Sequence, residues 1–244
     1  MRGRVRPGPA RAPGVMTRGA EPRTVAGVLA DVARLGPYFE IVTGPGATTG
    51  GAWTILADPE RLLAVTTEYG RRLGTGERRV AASLLFQELA SRLWSPVVAA
   101  AARGTVPDLA GLRWRWSPGE PITFGIAEPR GWHADDAAQA ARLIFPTVVD
   151  GQLRPLRKAV LTFAGLADGL LWGNAASALA GSLRVGPPAG VRAEIVRDLL
   201  AREPLAGAGR LGPEGFVRRG CCLYYRVPGG GMCGDCGLTS RDAR

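Results

Sequence analysis

Residues 220–236 read GCCLYYRVPGGGMCGDC and contain all four cysteines of the 244-residue chain. The cysteines follow the pattern Cys221-Cys222-x10-Cys233-x2-Cys236. Such clustering is typical of a soft metal centre held by thiolates, because structural cysteines are usually scattered through a core. The segment between the two pairs predicts a short strand and then a turn at Pro228 and the glycines that follow it. This turn would bring the second pair of cysteines back toward the first.

Three kinds of site compete for these thiols. Zinc is usually bound by two Cys-x2-4-Cys knuckles, and only Cys233 and Cys236 form one here. Adjacent cysteines in an extended backbone point in opposite directions, so Cys221 and Cys222 would need a distorted turn to reach one ion. An iron–sulfur cluster spreads its ligands over a wider core and accepts a vicinal pair more readily. We therefore favour a cluster. A zinc site stays open, as do disulfides or free thiols, although nothing in the chain indicates an oxidising compartment.

The residues around the cysteines also resemble a known family. Arg218–Arg226 and Gly229–Cys236 are similar to the C-terminal [2Fe–2S] motif of the FhuF-like ferric siderophore reductases. The similarity is sharp there, and extends more weakly to residues 172–177, which read WGNAAS, and 92–96, which read RLWSP. In that family the cysteines of the motif ligate the cluster. The resemblance therefore implies a [2Fe–2S] cofactor bound through four metal ligands: Cys221, Cys222, Cys233 and Cys236.

The resemblance implies a function as well. A ferric siderophore reductase takes Fe(III) bound by a siderophore, here expected to be a hydroxamate, and produces Fe(II), which hard oxygen ligands hold weakly. This oxidoreductase activity implies no catalytic side chain beyond the cluster ligands. The sequence shows no flavin or NAD(P) site, so the electron would come from an external donor, a ferredoxin or a reductase. Two alternatives stay open: a zinc-stabilised, non-enzymatic binding module, and an iron–sulfur electron carrier or redox sensor without a siderophore substrate.

Charges near the cysteines bear on the reduction potential of such a cluster. Adding an electron makes a thiolate-ligated cluster more negative, so nearby positive charge favours the reduced form. We expect Arg218, Arg219 and Arg226 to raise the potential. Asp235, which lies between two of the ligands, should oppose them.

Two other motifs carry less weight. Residues 207–212 spell the Gly-x-Gly-x-x-Gly dinucleotide fingerprint, but no strand precedes them and Pro213 follows where a helix should begin. They are interpreted as a linker. His133 is the only histidine, and a histidine-ligated Rieske centre needs two. With Asp135 and Asp136 it indicates a loop and an acidic N-cap for the next helix.

The charge of the chain is strongly positive, at +10. Four basic residues lie near the N-terminus, and every other one except Lys158 is an arginine dispersed along the chain. This distribution favours a solvated, arginine-rich surface over specific nucleic-acid binding. Attraction to an acidic partner, or a peripheral association with an anionic membrane surface, stays open.

The sequence also predicts where the protein is found. No charge-free apolar run approaches the roughly 18 residues that a transmembrane helix needs. The basic N-terminal residues lack the apolar core of a signal peptide, so a cytoplasmic location is expected. Met16 is an alternative start to Met1.

Hydrophobic periodicity predicts an α+β fold with a helix-rich body, a small β-hairpin and a C-terminal iron–sulfur lobe. We expect a disordered basic extension over residues 1–20, the body over 21–205 and the cluster-binding segment over 206–244. Leu112–Trp116 and Ile122–Ile126 form the predicted hairpin. The predicted helices cover Thr24–Leu35, a segment opening at Asp58-Pro59, Glu77–Ala102 with an interruption at Pro96, and residues 134–145, 151–165, 167–183 and 190–202. Residues 204–220 are predicted to be a loop.

Two aromatic or polar patches have competing interpretations. Trp114 and Trp116 share one face of a strand, which favours a place in the core over a ligand platform. The Gly173-Asn174 step interrupts an apolar helix and indicates that something approaches closely there. Tight helix–helix packing that involves Asn174 and Ser177 is favoured over a docking surface for the cluster segment or a substrate.

Overall fold

The computed structural model describes residues 17–185 and 190–238. Most of the predicted N-terminal extension, residues 1–16, lies outside these residues. Gly19 and Ala20, the last two residues of that predicted range, form a strand instead. The boundary between body and cluster segment stays a prediction.

Seven α-helices form the largest part of the regular structure in the described residues, and the predicted helix-rich α+β class is confirmed. They are α1 (Pro22–Ala33), α2 (Pro59–Arg72), α3 (Arg78–Ala101), α4 (Ala137–Ile144), α5 (Arg154–Leu161), α6 (Asp168–Gly181) and α7 (Val191–Leu200). A π-helical segment, Phe145–Leu153, joins α4 to α5, and 3-10 turns occupy Pro37–Phe39 and Tyr224–Arg226.

In the described residues, eight short strands form three small sheets. They are β1 (Gly19–Ala20), β2 (Val42–Thr43), β3 (Thr105–Pro107), β4 (Arg113–Arg115), β5 (Thr123–Ile126), β6 (Gly131–His133), β7 (Gly209–Gly212) and β8 (Gly215–Arg218). The first sheet has the antiparallel order β1-β6-β3. The second has the order β2-β5-β4, with β2 parallel to β5, and the third is the β7–β8 hairpin.

Helix α3 is the centre of the body and is buried along most of its length, packing chiefly against α6. Leu85, Leu89 and Leu93 lie in the core as their spacing predicts. The predicted interruption at Pro96 is wrong, because α3 continues through this residue. Proline removes one helical hydrogen bond. The residues that follow it, 97–101, are all buried, so packing stabilises the helix beyond Pro96.

The predicted hairpin is confirmed as β4 and β5, with Trp114 opposite Phe124. Trp114 is fully buried and its indole donates a hydrogen bond to the Ile55 carbonyl over 3.0 Å. Trp116 is also buried. The core interpretation of both tryptophans is therefore confirmed. Asp58 caps α2 as expected, because its carboxylate accepts a hydrogen bond from the Arg61 amide.

Three local predictions are wrong. Residues 204–220 contain the β7–β8 hairpin instead of a loop, and the glycines of the Gly-x-Gly-x-x-Gly motif belong partly to β7. A side chain at Gly209 would overlap Phe216 across this hairpin, so close cross-strand packing explains that glycine. His133 ends β6 instead of lying in a loop, although Asp136 does cap α4. The helices predicted over residues 134–145 and 151–165 are not separated by a break, because the π-helical segment Phe145–Leu153 continues the helix between them.

None of the helices in the described ranges combines the length and the hydropathy that crossing a bilayer requires.

Candidate metal centre

The cysteines lie in a small lobe formed by residues 206–238, which we call the cysteine lobe. The β7–β8 hairpin leads into it and delivers Arg218 and the vicinal cysteines. The predicted short strand after Cys222 is wrong. Leu223 adopts a left-handed conformation at φ 69°, and the chain then forms the 3-10 turn over Tyr224–Arg226. Leu223 and Val227 are buried against Val80 of α3, which holds this turn on the body.

The predicted glycine turn is confirmed. The amide of Gly230 donates to the Val227 carbonyl over 2.8 Å. A Cβ on Gly230 would lie 2.8 Å from the carbonyl oxygens of Tyr224 and Val227, so no larger residue fits. Gly237 approaches β8 even more closely, since a Cβ there would lie 2.2 Å from the Arg218 carbonyl oxygen. These two close approaches fold the lobe back on itself.

None of the four cysteines, all of which lie in the described residues, forms a disulfide. Cys222 and Cys236 are buried, whereas Cys221 and Cys233 are partly exposed. The Cys222 thiol lies close enough to Cys233 to raise the pKa of the Cys233 thiol. The lobe therefore brings one member of the vicinal pair against one member of the knuckle, as the turn predicts.

Backbone groups support the sulfur atoms. The amide of Leu223 donates to the Cys221 sulfur over 3.3 Å, and the amide of Cys236 closes the knuckle by donating to the Cys233 carbonyl over 3.0 Å. The Met232 thioether lies 3.6 Å from the Cys236 sulfur. Burial raises the pKa of the Cys233 thiol, the neighbouring Cys222 raises it further, and Arg218 acts in the opposite direction.

The donor set fits an iron–sulfur cluster in type and number. Four cysteine thiols in one lobe, with a backbone N–H directed at sulfur, are the ligands that such clusters use. Within residues 17–185 and 190–238, no three His, Cys, Asp or Glu side chains stand close enough together to hold one metal ion. The assignment of Cys221, Cys222, Cys233 and Cys236 as cluster ligands stays a prediction.

A buried charged network joins the lobe to the body. Arg218 is 2% exposed, and its guanidinium lies 3.0 Å from the Asp235 carboxylate. The same guanidinium donates to Asn174 Oδ1 over 2.7 Å, to Gln87 Oε1 over 3.2 Å, and to the Ser177 hydroxyl. Burial acts to raise the pKa of Asp235, but Arg218 and the hydrogen bonds of the network bring it below its ordinary value.

A second chain of hydrogen bonds runs from α6 through α3 to a cysteine. The fully buried Asn174 amide donates to both the carbonyl and the hydroxyl oxygen of Ser83, each over 2.9 Å. The Ser83 hydroxyl in turn donates to the Cys222 carbonyl over 2.8 Å. Asn174 thus cross-links α3 and α6, as favoured from the sequence, and also takes part in docking the cysteine lobe.

The two upstream patches of family resemblance meet at this junction. The indole of Trp94, from residues 92–96, donates to the Ala175 carbonyl of α6 over 3.0 Å. Arg92 pairs with Glu88 of the same helix over 2.9 Å. The close approach expected at Gly173 is absent from the described structure, where a Cβ on this glycine would meet no atom within 4 Å. The contacts are made by the neighbouring Asn174 instead.

The three arginines expected to influence the cluster have different surroundings. Arg218 is buried beside the thiols, as described above. Arg226 is on the surface and pairs with Glu77 over 2.7 Å. Arg219 is exposed, and its backbone amide donates to the Ala208 carbonyl. Arg218 therefore has the strongest expected influence on the thiols. Its burial has no signal in the local sequence, because its partners come from distant helices.

One side of the lobe faces a cavity of about 540 Å³. Cys233, Gly234 and Asp235 form part of its wall. Helices α2, α3 and α6 and the Pro37–Phe39 turn form the rest. The cavity was not foreseen, since its wall combines residues from segments that are far apart in the sequence.

Comparison with known protein families identifies the lobe. Residues 218–237 match the model of the FhuF 2Fe-2S C-terminal domain, and this range contains all four cysteines together with Arg218 and Asp235. The match confirms the FhuF-like resemblance of the C-terminal segment. No curated protein matches the chain.

Proposed function

We propose that this chain, whose residues 218–237 match the FhuF 2Fe-2S C-terminal domain, is a ferric siderophore reductase of the cytoplasm. Its substrate would be Fe(III) held by a siderophore of the hydroxamate type. The observation that carries the proposal is the cysteine lobe. It holds four cysteine thiols outside any disulfide, matches an iron–sulfur domain and has Cys233 at the wall of a cavity large enough for a small ligand.

The chemistry needs one electron and no covalent bond to the substrate. A [2Fe–2S] cluster held by Cys221, Cys222, Cys233 and Cys236 supplies single electrons when bound. Fe(III) gains one electron and becomes Fe(II), a softer and less charged ion that hard siderophore oxygens hold weakly. This electron transfer requires no side chain to donate or accept a proton. A site predicted without a catalytic acid or base is consistent with such a reaction.

The residues around the thiols would control charge and position. Thiolates concentrate negative charge, and the buried Arg218 guanidinium stabilises it at short range because the local dielectric is low. Asp235 offsets part of this positive charge. The hydrogen bonds from Ser83 and Asn174 fix the Cys222 backbone against the body. These contacts would keep the ligands in place when the charge of the site changes.

The electron donor would be a separate protein, a ferredoxin or a reductase. The cysteine lobe exposes several large apolar side chains, namely Tyr224, Tyr225, Met232 and Leu238. Exposed apolar groups close together in the chain favour contact with a partner protein. Met232 also touches the Cys236 sulfur, so a donor bound over Met232 would come close to a cluster ligand.

The first test is composition followed by turnover. Anaerobically purified protein should be red-brown and contain about two iron and two sulfide per chain. Reduced protein mixed with a ferric trihydroxamate should release Fe(II) to a coloured ferrous chelator, and Cys222→Ser should not. A colourless protein that retains about one zinc would support the zinc-stabilised module instead. A cluster that reduces no ferric siderophore would support the electron carrier or redox sensor.

A further inference from the structure

The cavity beside the cysteine lobe has one apolar and aromatic side. The Pro37–Phe39 turn contributes Tyr38, whose ring stacks on the Arg92 guanidinium at 4.7 Å. Leu35, Tyr69 and Leu73 extend this side, and Tyr224 of the lobe also lines the cavity. A wall of this composition suits the carbon chain of an organic ligand.

The positive and negative side chains around the cavity do not balance each other. Glu88 is paired with Arg92 over 2.9 Å, and Asp235 with Arg218 over 3.0 Å, so arginines offset both carboxylates of the lining. Arg184 is exposed at the cavity and has no ion pair within the described part of the chain. The balance is positive, which favours a ligand that presents anionic oxygens.

Arg184 lies next to the knuckle. Its guanidinium is 3.6 Å from the position that a Cβ on Gly234 would occupy. Gly234 has no side chain, so the positive group stands close to the backbone between Cys233 and Asp235. A ligand held by Arg184 would therefore lie against the part of the lobe that carries Cys233.

Tyr38 and Tyr69 stay protonated at neutral pH. Burial, with help from Glu88, raises the pKa of Tyr38 far above its ordinary value and that of Tyr69 to about 12. A phenolate would bind Fe(III) strongly, whereas a phenol is a hydrogen-bond donor. The cavity can therefore contact an iron complex without removing the metal from it.

We infer that this cavity binds the ferric siderophore, with the oxygens around the iron directed toward Arg184 and Gly234 and the organic backbone against the side formed by Leu35, Tyr38 and Leu73. The inference rests on the proposed function and adds the binding site to it. It places the iron beside the Cys233 segment and leaves the remainder of the lobe accessible to the electron donor.

Gly181 of α6 offers a way to fill the cavity without disturbing the fold. It lines the cavity, and an added Cβ would meet no atom within 4 Å. Gly181→Trp would occupy the space that the ligand needs. Gly181→Ala is the matched control, because it changes the same backbone position and leaves most of the volume free. Arg184→Gln, an exposed substitution, tests the charge without adding volume.

Binding is measured separately from reduction with the gallium(III) complex of a linear trihydroxamate, titrated calorimetrically into the cluster-loaded protein. Ga(III) has the charge of Fe(III) and a similar radius but accepts no electron here. We expect Gly181→Trp to weaken binding by at least about tenfold, equivalent to about 1.4 kcal/mol, and Gly181→Ala to weaken it far less. Arg184→Gln should weaken binding several-fold, because it removes the charge-assisted hydrogen bonds of the guanidinium to the oxygens around the metal. Cluster absorbance should match the unsubstituted protein in all three variants.

The outcomes separate the site from the function. If the unsubstituted protein reduces the ferric complex while Gly181→Trp and Arg184→Gln bind the gallium complex normally, the cavity assignment is overturned and the proposed function stands. If the gallium complex binds and both variants weaken it, but no ferric complex is reduced, the cavity is a chelate site and the proposed reductase activity fails. If the unsubstituted protein does not bind the gallium complex, the cavity assignment is overturned, whether or not reduction occurs.

Discussion

The guanidinium of Arg218 and the carboxylate of Asp235 lie 3.0 Å apart, and both are buried. Arg218 ends β8 and directly precedes the cysteine segment, whereas Asp235 stands inside the knuckle. Their ion pair therefore joins the two ends of the cysteine segment. Because the same guanidinium also contacts α3 and α6, it joins the closure of the lobe to its attachment on the body.

Replacing Arg218 should destabilise the protein strongly. Arg218→Gln leaves the buried Asp235 carboxylate without its partner, and removing one member of a buried pair typically costs about 3 kcal/mol or more. Urea unfolding of the cluster-free protein would measure the free energy of unfolding. Arg226→Gln is the control, since the exposed Arg226–Glu77 pair should contribute much less. Equal decreases in the free energy of unfolding in Arg218→Gln and Arg226→Gln would show that the buried pair stabilises the protein no more than the exposed pair does.

The arginines should also affect the reduction potential. Arg226→Gln removes a positive charge near the lobe and should lower the midpoint potential in a redox titration. Arg218 is buried beside the thiols, so Arg218→Lys, which keeps the charge, should preserve the potential better than Arg218→Gln. An unchanged or higher potential in Arg226→Gln would contradict the expected influence of Arg226. A comparison of Arg218→Lys with Arg218→Gln separates the effect of the charge on the midpoint potential from the effect of altered packing.

Each proposed ligand should be indispensable. Cys222→Ser keeps the size of the side chain but replaces a thiolate with a poor ligand for iron, so the cluster should be lost or its spectrum visibly altered. Iron and sulfide analysis with absorption spectroscopy would measure this. Met232→Leu provides a control that changes a sulfur atom in contact with Cys236 without removing a proposed ligand. Iron content and spectra like those of the unsubstituted protein in Cys222→Ser would disprove the ligand assignment.

The N-cap of α2 should give a pH-dependent contribution to stability. Hydrogen bonds from Arg61 and Thr54 hold the pKa of Asp58 below its ordinary value of 3.8. Its stabilising effect is therefore complete above this value and is lost as the pH falls through the lowered folded-state pKa. Asp58→Ala should cost about 1 kcal/mol at neutral pH, and the difference should shrink below pH 3.8. Thermal unfolding at several pH values would test this.

A second substitution at Asp58 separates the charge from the cap. Asp58→Asn can still accept the hydrogen bond from the Arg61 amide but does not titrate. Its stability relative to Asp58→Ala should therefore be nearly constant with pH. A difference between Asp58→Ala and the unsubstituted protein that stays the same down to strongly acid pH would contradict the assigned role of the carboxylate.

Local signals predicted much of the fold and the identity of the site. The cap at Asp58, the β4–β5 hairpin and the glycine turn before Cys233 each depend on neighbouring residues, and all are confirmed. The cysteine pattern together with the residues around it identified the segment that the family model matches.

The missed features depend on contacts between distant residues. Arg218 looked like a charge flanking the ligands, but its partners Gln87 and Asn174 lie 131 and 44 residues away in the chain. The continuity of α3 through Pro96 depends on packing that outweighs a local helix-breaking signal. The cavity beside Cys233 is formed by the same long-range assembly. Neither the hydrophobic periodicity nor the cysteine spacing indicates these contacts between distant residues.

The hydrogen bond from Ser83 to the Cys222 carbonyl has a consequence for protein engineering. The cysteine lobe takes part of its support from a serine 139 residues earlier in the chain, and through it from Asn174. A peptide cut from the lobe would keep every sulfur donor and lose that scaffold. The lobe is therefore not a portable cofactor module, and a transplant into another protein would have to carry the facing surfaces of α3 and α6 with it.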